Sequence, residues 1–259
     1  MNTFQIQNFC NLNEVRNNFK KMEIEKLMGT IDKKELSEFI SIKGESSEKE
    51  VLKKILSRLC SLENVDYELV KKVAIELKKE GVSLKEALFS SLEVMSPKIQ
   101  VIELLVSLGA DVNARHPIDD GTALTSACFH EYPSKEVVSL LLSKKANKEM
   151  REKYGRNCLH LICEPENLLV EKIRNEADWK EYTGKRRVEE HLDIVKMLSD
   201  KKLVNSRGWH GRSALHFAAE FNRIETAKIV IKLGGLTNAK DKYKQTPLHV
   251  KRQTTKICL

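Results

Sequence analysis

Residues 208–239 read GWHGRSALHFAAEFNRIETAKIVIKLGGLTNA, and this stretch decides the fold. A glycine-containing turn comes first. Ser213-Ala214-Leu215-His216 then opens a short helix whose next turn carries the small pair Ala218-Ala219. Asn222-Arg223 interrupts it. Ile224, Ala227, Ile229, Val230 and Ile231 mark a second apolar helix, which Gly234-Gly235 ends. Two helices this short cannot bury their own apolar surface, so the unit requires neighbours on both sides.

Units of the same kind flank it. Aligning on Leu215 brings in Ala87-Leu88, Thr122-Ala123-Leu124, Asn157-Cys158-Leu159-His160 and Thr246-Pro247-Leu248-His249. The end of the unit recurs as Asp111-Val112-Asn113-Ala114, Val204-Asn205-Ser206 and Thr237-Asn238-Ala239. Leu215 to Leu248 is 33 residues, and so is Asn205 to Asn238. Over roughly residues 82–250 the chain resembles the ankyrin-repeat family, whose unit has this period and a T-P-L-H-x-A opening. The resemblance implies an all-α ankyrin-repeat solenoid of stacked helix-turn-helix units with an N-terminal helical cap. Residues 1–80 are expected to form an N-terminal helical region, either a degenerate repeat or a separate cap. Residues 81–259 form the repeats, at about 81–114, 115–150, 151–206, 207–239 and a truncated 240–259. Leu88, Leu124, Leu159, Leu215 and Leu248 are expected to fill equivalent slots.

Composition agrees with a packed protein. Hydrophobic residues make up 41%, which excludes wholesale disorder, and aromatics only 6%, fewer than a sandwich or barrel uses. No apolar run reaches the roughly 18 residues of a membrane span. Met1-Asn2-Thr3-Phe4-Gln5 lacks the basic flank of a signal peptide, so a cytoplasmic or nuclear protein is expected. The net charge is +8, and residues 207–259 alone carry 11 basic and 3 acidic groups, the whole excess. That end serves either as a solubilising coat for an open solenoid terminus or as a surface for an acidic partner.

Local signals divide the chain further. Helices are expected from Asn13 to Leu27 and from Asp32 to Ile42. Ser47 and Glu50 match a capping box ahead of Val51, Leu52, Ile55, Leu56 and Leu59. Asp66 is placed to cap a second helix presenting Val70, Val73, Ala74 and Leu77, which Gly81 ends. Ser83 and Glu86 match another capping box, and Ser96-Pro97 a cap and first-turn proline for the next helix. The turn of the second repeat is one residue long against the others: Asn113 to Leu124 is 11, while Asn205 to Leu215 is 10. In the third repeat about 23 extra residues lie near 164–190, with Trp179, Tyr182, Lys185-Arg186-Arg187 and a helical pattern over 168–179. In the fifth, Lys251 falls where a small buried residue belongs, so the terminal helix should fray.

No catalytic constellation emerges. Cys158, His160 and Cys163 are close enough for a metal, but in the repeat register both cysteines take small apolar positions and no second ligand pair follows. His160, His216 and His249 recur at one repeat position, which points to hydrogen bonding within each unit. Asn113, Asn205 and Asn238 at the finger bases read as structural. Gly208-Trp209-His210-Gly211 has the outline of an RNA-binding G-x-x-G loop, yet its flanks are the repeat's own turn and helix. No cofactor and no enzymatic activity are expected, and nucleic acid is disfavoured. What the resemblance implies is a protein partner held on the projecting turn tips. By position these include Asp119, Asp120, Tyr154, Arg156, Trp209, His210, Arg212, Lys242 and Tyr243. Trp209 departs from the family's ordinary tip and is the sharpest of these signals.

Overall fold

A computed structural model describes residues 48–62, 66–130, 133–164 and 188–251. The helices expected before residue 47, Ser47 itself, residues 165–187 of the insertion and residues 252–259 lie outside that set. Among the described residues the regular structure is helical, and a single antiparallel bridge joins Arg151 to Asn157. The chain divides into two compact units, one of residues 1–91 and 100–110, the other of residues 92–99 and 111–259.

In the first unit α1 (Glu48–Cys60) packs on α2 (Tyr67–Lys79). Leu52, Ile55, Leu56 and Leu59 face inward from α1, and Leu69, Val70, Val73, Ala74 and Leu77 from α2. Asp66 caps α2 as its position predicts, accepting from the Glu68 and Leu69 N–H groups at 3.1 and 3.3 Å. Then come α3 (Lys85–Leu92) and α4 (Ile99–Ser107), whose Ala87, Leu88, Val101, Ile102 and Leu105 are buried. The Ser83–Glu86 capping box does not form. Because α3 begins at Lys85, Ser83 lies outside the N-cap and its hydroxyl accepts from the Lys85 N–H at 3.4 Å. Glu86 is drawn instead to Lys53 of α1, 2.8 Å away. Pro97 likewise stands two residues before α4 rather than in its first turn.

The second unit carries α5 (Ala123–Phe129), α6 (Lys135–Ser143), α7 (Cys158–Cys163), α8 (188–198), a 3-10 turn (Trp209–Gly211), α9 (Ala214–Glu220), α10 (Ile224–Lys232) and a final turn of helix, α11 (247–251). The first helices of successive repeats stack, α5 on α7 and α7 on α9, while α6 and α10 back onto α5 and α9. Small and apolar residues fill that stack: Ala127, Cys128, Cys158, Leu159, Cys163, Ala214, Leu215 and Ala218 are all buried. Each stacked helix opens with a reciprocal cap. Thr122 pairs with Thr125, Asn157 with His160 and Ser213 with His216.

Four of the five register leucines are buried, and the fifth is not. Leu88, Leu124, Leu159 and Leu215 are at most 3% exposed, whereas Leu248 is 59% exposed. The interior leucines of this unit are clamped between stacked helices. Leu248 lies on the last described helix, whose outer side meets no further described helix, so its slot stays open. Lys251 is half-buried there, and its ammonium donates to the Asn222 side chain at 2.8 Å.

Candidate functional site

Between the second helix of one repeat and the first helix of the next, the chain makes a tight finger closed by one backbone hydrogen bond. Glu152 N–H donates to Arg156 C=O, Gly208 to Arg212, and Asp241 to Gln245, at 2.7–2.9 Å. The finger of the second repeat closes from His116 to Gly121, one residue longer, as its sequence spacing requires. The residue four before the register leucine turns left-handed in all four: Asp120, Gly155, Gly211 and Lys244 have φ of +58°, +76°, +70° and +62°. Glycine occupies two of these because a Cβ strains this conformation.

Acidic side chains fold back into the fingers. Glu152 accepts from the Tyr154 and Arg156 N–H groups at 3.0 and 2.9 Å, and Asp241 from those of Tyr243 and Gln245 at 2.8 and 2.9 Å. Gly208 takes the equivalent place in the intervening finger. There a Cβ would stand 3.2 Å from the ring of His160, so this glycine marks a close approach of backbone to a buried histidine.

The histidines are part of the frame. His160 Nδ1 accepts from the Asn157 N–H at 3.2 Å, and its Nε2 donates to the Ser206 carbonyl at 3.1 Å in the next finger. His216 repeats this with Ser213 and Gln245, both at 3.1 Å. A carbonyl only accepts and a backbone N–H only donates, so each ring is the neutral Nε2-H tautomer. Burial pushes the His160 pKa down to about 4 and also lowers that of His216. Neither ring has a nitrogen left for proton transfer. The edge of the His160 ring also meets Phe217, with ring centres 5.7 Å apart. Cys158, near it in sequence, donates its thiol to the Lys148 carbonyl at 3.2 Å. Among the described residues no group of three His, Cys, Asp or Glu is placed to hold a metal ion.

An arginine ladder, which the sequence reading passed over, ties each finger to the next. Arg115 Nη1 donates to the carbonyls of Asp120 and Arg151 at 2.6 and 2.5 Å. Arg151 does the same to Gly155 and Arg207, and Arg207 to Gly211 and Lys240. Each guanidinium thus bonds the left-handed residue of its own finger and the ladder residue of the following one. Its signal was an arginine eight or nine residues before the register leucine. Asparagines make a parallel tie: Asn113 bonds Lys145 C=O and Asn147 N–H, and Asn205 bonds Gly234 C=O and Leu236 N–H.

On this frame the tips bring four of the expected residues into one row. Tyr154 stands 6.2 Å from Trp209 between ring centres, Trp209 stacks on His210 at 4.2 Å, and His210 lies 5.4 Å from Tyr243. The row crosses three successive fingers and stays open to solvent, with Tyr154 50%, Trp209 44% and Tyr243 55% exposed. Lys153 sits over Tyr154 at 5.1 Å and Lys242 over Tyr243 at 5.0 Å. Arg156 and Arg212 are placed differently. Their side chains are only 12% and 14% exposed, and they form ion pairs with Glu152 and Glu164, and with Glu220 and Asp241. Asp119 and Asp120 lie one finger earlier. Asp119 bonds His116 and the Gly121 N–H, and its carbonyl accepts from Lys153.

Among the described residues no helix is long and apolar enough to cross a membrane. The family described as "Ankyrin repeats (many copies)" matches residues 93–142, and that described as "Ankyrin repeat" matches residues 210–242. Over 174 residues, 58% of this chain, the sequence is 28% identical to the transient receptor potential cation channel subfamily A member 1 of Homo sapiens. Over 137 residues, 49% of the chain, it is 26% identical to the transient receptor potential channel pyrexia of Drosophila melanogaster. The matched stretches span only 15% and 14% of those two proteins. With the helical repeats, the capping pattern and both family matches in agreement, the chain carries ankyrin repeats, a fold that is a non-enzymatic module for protein–protein interaction.

Proposed function

We propose that this protein is a non-enzymatic docking module that seats a partner protein on the row Tyr154, Trp209, His210 and Tyr243, with Lys242 beside it. The observation that carries this reading is the row itself: half-exposed aromatic rings from three fingers, aligned on backbones already hydrogen-bonded to one another. Aromatic side chains supply much contact area for few rotatable bonds, and a pre-ordered frame leaves little conformational freedom to lose on docking. Arg156 and Arg212 act as positioning residues, holding the fingers from within. Asp119 and Asp120 form the acidic margin of the surface. The likeness to two channels reaches a small segment of each, so it supports a modular part and carries no ion conduction to this chain.

The test is site-specific crosslinking. A photoreactive benzoylphenylalanine placed at Tyr243 should yield discrete adducts with one or a few proteins, while the same group at the exposed Lys232 of α10 should not. Tyr154→Ala with Trp209→Ala should remove those adducts while the fold persists by circular dichroism. Adducts that survive the double substitution would remove the row from its role.

A further inference from the structure

We infer that the partner segment seated on this row is an extended acidic peptide, its carboxylates directed to Lys153, Lys242 and Lys244. The inference rests on the docking reading above and adds the chemistry of what docks.

Three observations converge on it. The first is the sign of the exposed charge. The carboxylates of these fingers, Glu152 and Asp241, are buried and turned inward onto backbone N–H groups, so they do not face an incoming chain. Arg156 and Arg212 are held in ion pairs beneath. The charged tip residues left exposed on the three fingers, Lys153, Lys242 and Lys244, are all cations. Over a longer range, the excess of 11 basic over 3 acidic groups in residues 207–259 adds attraction of the same sign.

The second is the way the rings are presented. Trp209 has one face against His210, Tyr154 has Lys153 and Arg156 over it, and Tyr243 has Lys242. A nucleic-acid platform needs open faces on which bases stack. A neighbour over a ring leaves less open face for stacked bases, while the ring edges carry the positive part of the quadrupole and favour carboxylate oxygens.

The third is the border. Asp119 and Asp120 stand on the preceding finger, whose Asp119 carbonyl accepts the Lys153 N–H at 2.8 Å. Like charge there repels the continuation of an acidic segment, so its acidic part ends at Lys153. Spacings of 6.2, 4.2 and 5.4 Å between ring centres keep the row within reach of about five extended residues at ~3.3 Å each.

The experiment is to pan a display library of random peptides, about a dozen residues long and so ample for the row, against the full chain. The enriched peptides should be net acidic. The strongest should lose about tenfold in affinity against the combined Lys153→Gln, Lys242→Gln and Lys244→Gln variant, and as much when its own Asp and Glu become Asn and Gln. Its binding should also weaken as salt rises. Neutral or basic winners, equal binding by the amide version, failure of any peptide to enrich, or displacement by a short oligo-dT at lower concentration would each overturn the acidic segment. The docking row survives those results if Trp209→Ala still abolishes binding of whatever is captured. Selected peptides that bind Trp209→Ala as well as the parent chain would bring down both readings.

Discussion

The inside and the tip of the same fingers use similar side chains for opposite purposes. Inside, Arg151, Arg156, Arg207 and Arg212 donate to carbonyls or pair with carboxylates, and His160 and His216 have both ring nitrogens engaged. At the tip, His210 stacks on Trp209, and the exposed Lys153 and Lys242 lie over tyrosines. Residue type therefore does not separate frame from surface. What separates them is whether the group finds a close carbonyl or carboxylate partner within the frame. The planar guanidinium fork suits it to bridging two carbonyls, whereas a lysine ammonium is a flexible point charge.

The largest effects should come from breaking the frame. Leu159→Ala, at a residue clamped between α5 and α9, should cost about 3 kcal/mol by urea unfolding. Leu248→Ala at the matching register position should leave the midpoint nearly unmoved, since that side chain is 59% exposed. Equal losses at both would mean that Leu248 is covered in solution.

His160 sharpens the same contrast through pH. Its folded pKa is pushed by burial to about 4, below the ordinary 6.5, so the unfolded chain takes up its proton first. Stability is then complete above about pH 6.5 and lost as pH falls toward 4, at up to about 1.4 kcal/mol per pH unit for each such histidine. His160→Leu should lower stability at neutral pH by roughly 2 kcal/mol, because the Asn157 N–H and Ser206 C=O lose their partner. It should also flatten the acid slope. A variant as acid-sensitive as the parent would place that sensitivity elsewhere, His191 being next, since burial pushes its pKa to about 3.

Much of this frame was legible in the sequence, for a physical reason: stacking is periodic, so its requirements repeat. Leucines 33 residues apart, small residues one turn on, and a histidine three residues after its cap all announce contacts that every unit must make. The tip row was legible at Trp209, because a large ring at a turn lies outside the helical core that its own unit buries. Other features depended on where neighbouring chain happens to lie. Ser83 and Glu86 match the capping pattern, but one residue of helix register and the nearness of Lys53 redirect both. Arg115, Arg151 and Arg207 recur as plainly as the histidines, yet a basic residue in a turn reads as solvent-facing until the next finger's carbonyl is known to stand beside it. Arg156 and Arg212 belong to the tips by position on the same ground, and partners such as Glu164 and Glu220 draw them inward.

Intermediate effects should follow from the ladder. Arg151→Ala removes donors from Gly155 C=O and Arg207 C=O and should cost about 1 kcal/mol. It should also weaken partner binding at the row, by loosening the finger that carries Tyr154 against the one that carries Trp209. Trp209→Ala should do the reverse, abolishing binding with less than about 1 kcal/mol lost from the fold. If Arg151→Ala destabilises the chain and leaves binding intact, the ladder holds the fold without ordering the tips.

The smallest effects lie where frame and tip share a residue, four positions before the register leucine. Gly155→Ala introduces a Cβ that meets nothing within 4 Å, so its cost is backbone strain alone at φ +76°. That strain is about 1–2 kcal/mol, offset by roughly half as much from the stiffer unfolded chain. Lys244 already bears the strain, at φ +62°. Lys244→Gly should therefore raise the unfolding midpoint slightly, while removing one of the three cations assigned to the acidic segment. A variant that is more stable yet binds an acidic peptide several-fold more weakly is what two separable roles at one position require. Stability and affinity falling together would show that this side chain serves the frame, and that the boundary between inside and tip lies further out along the finger.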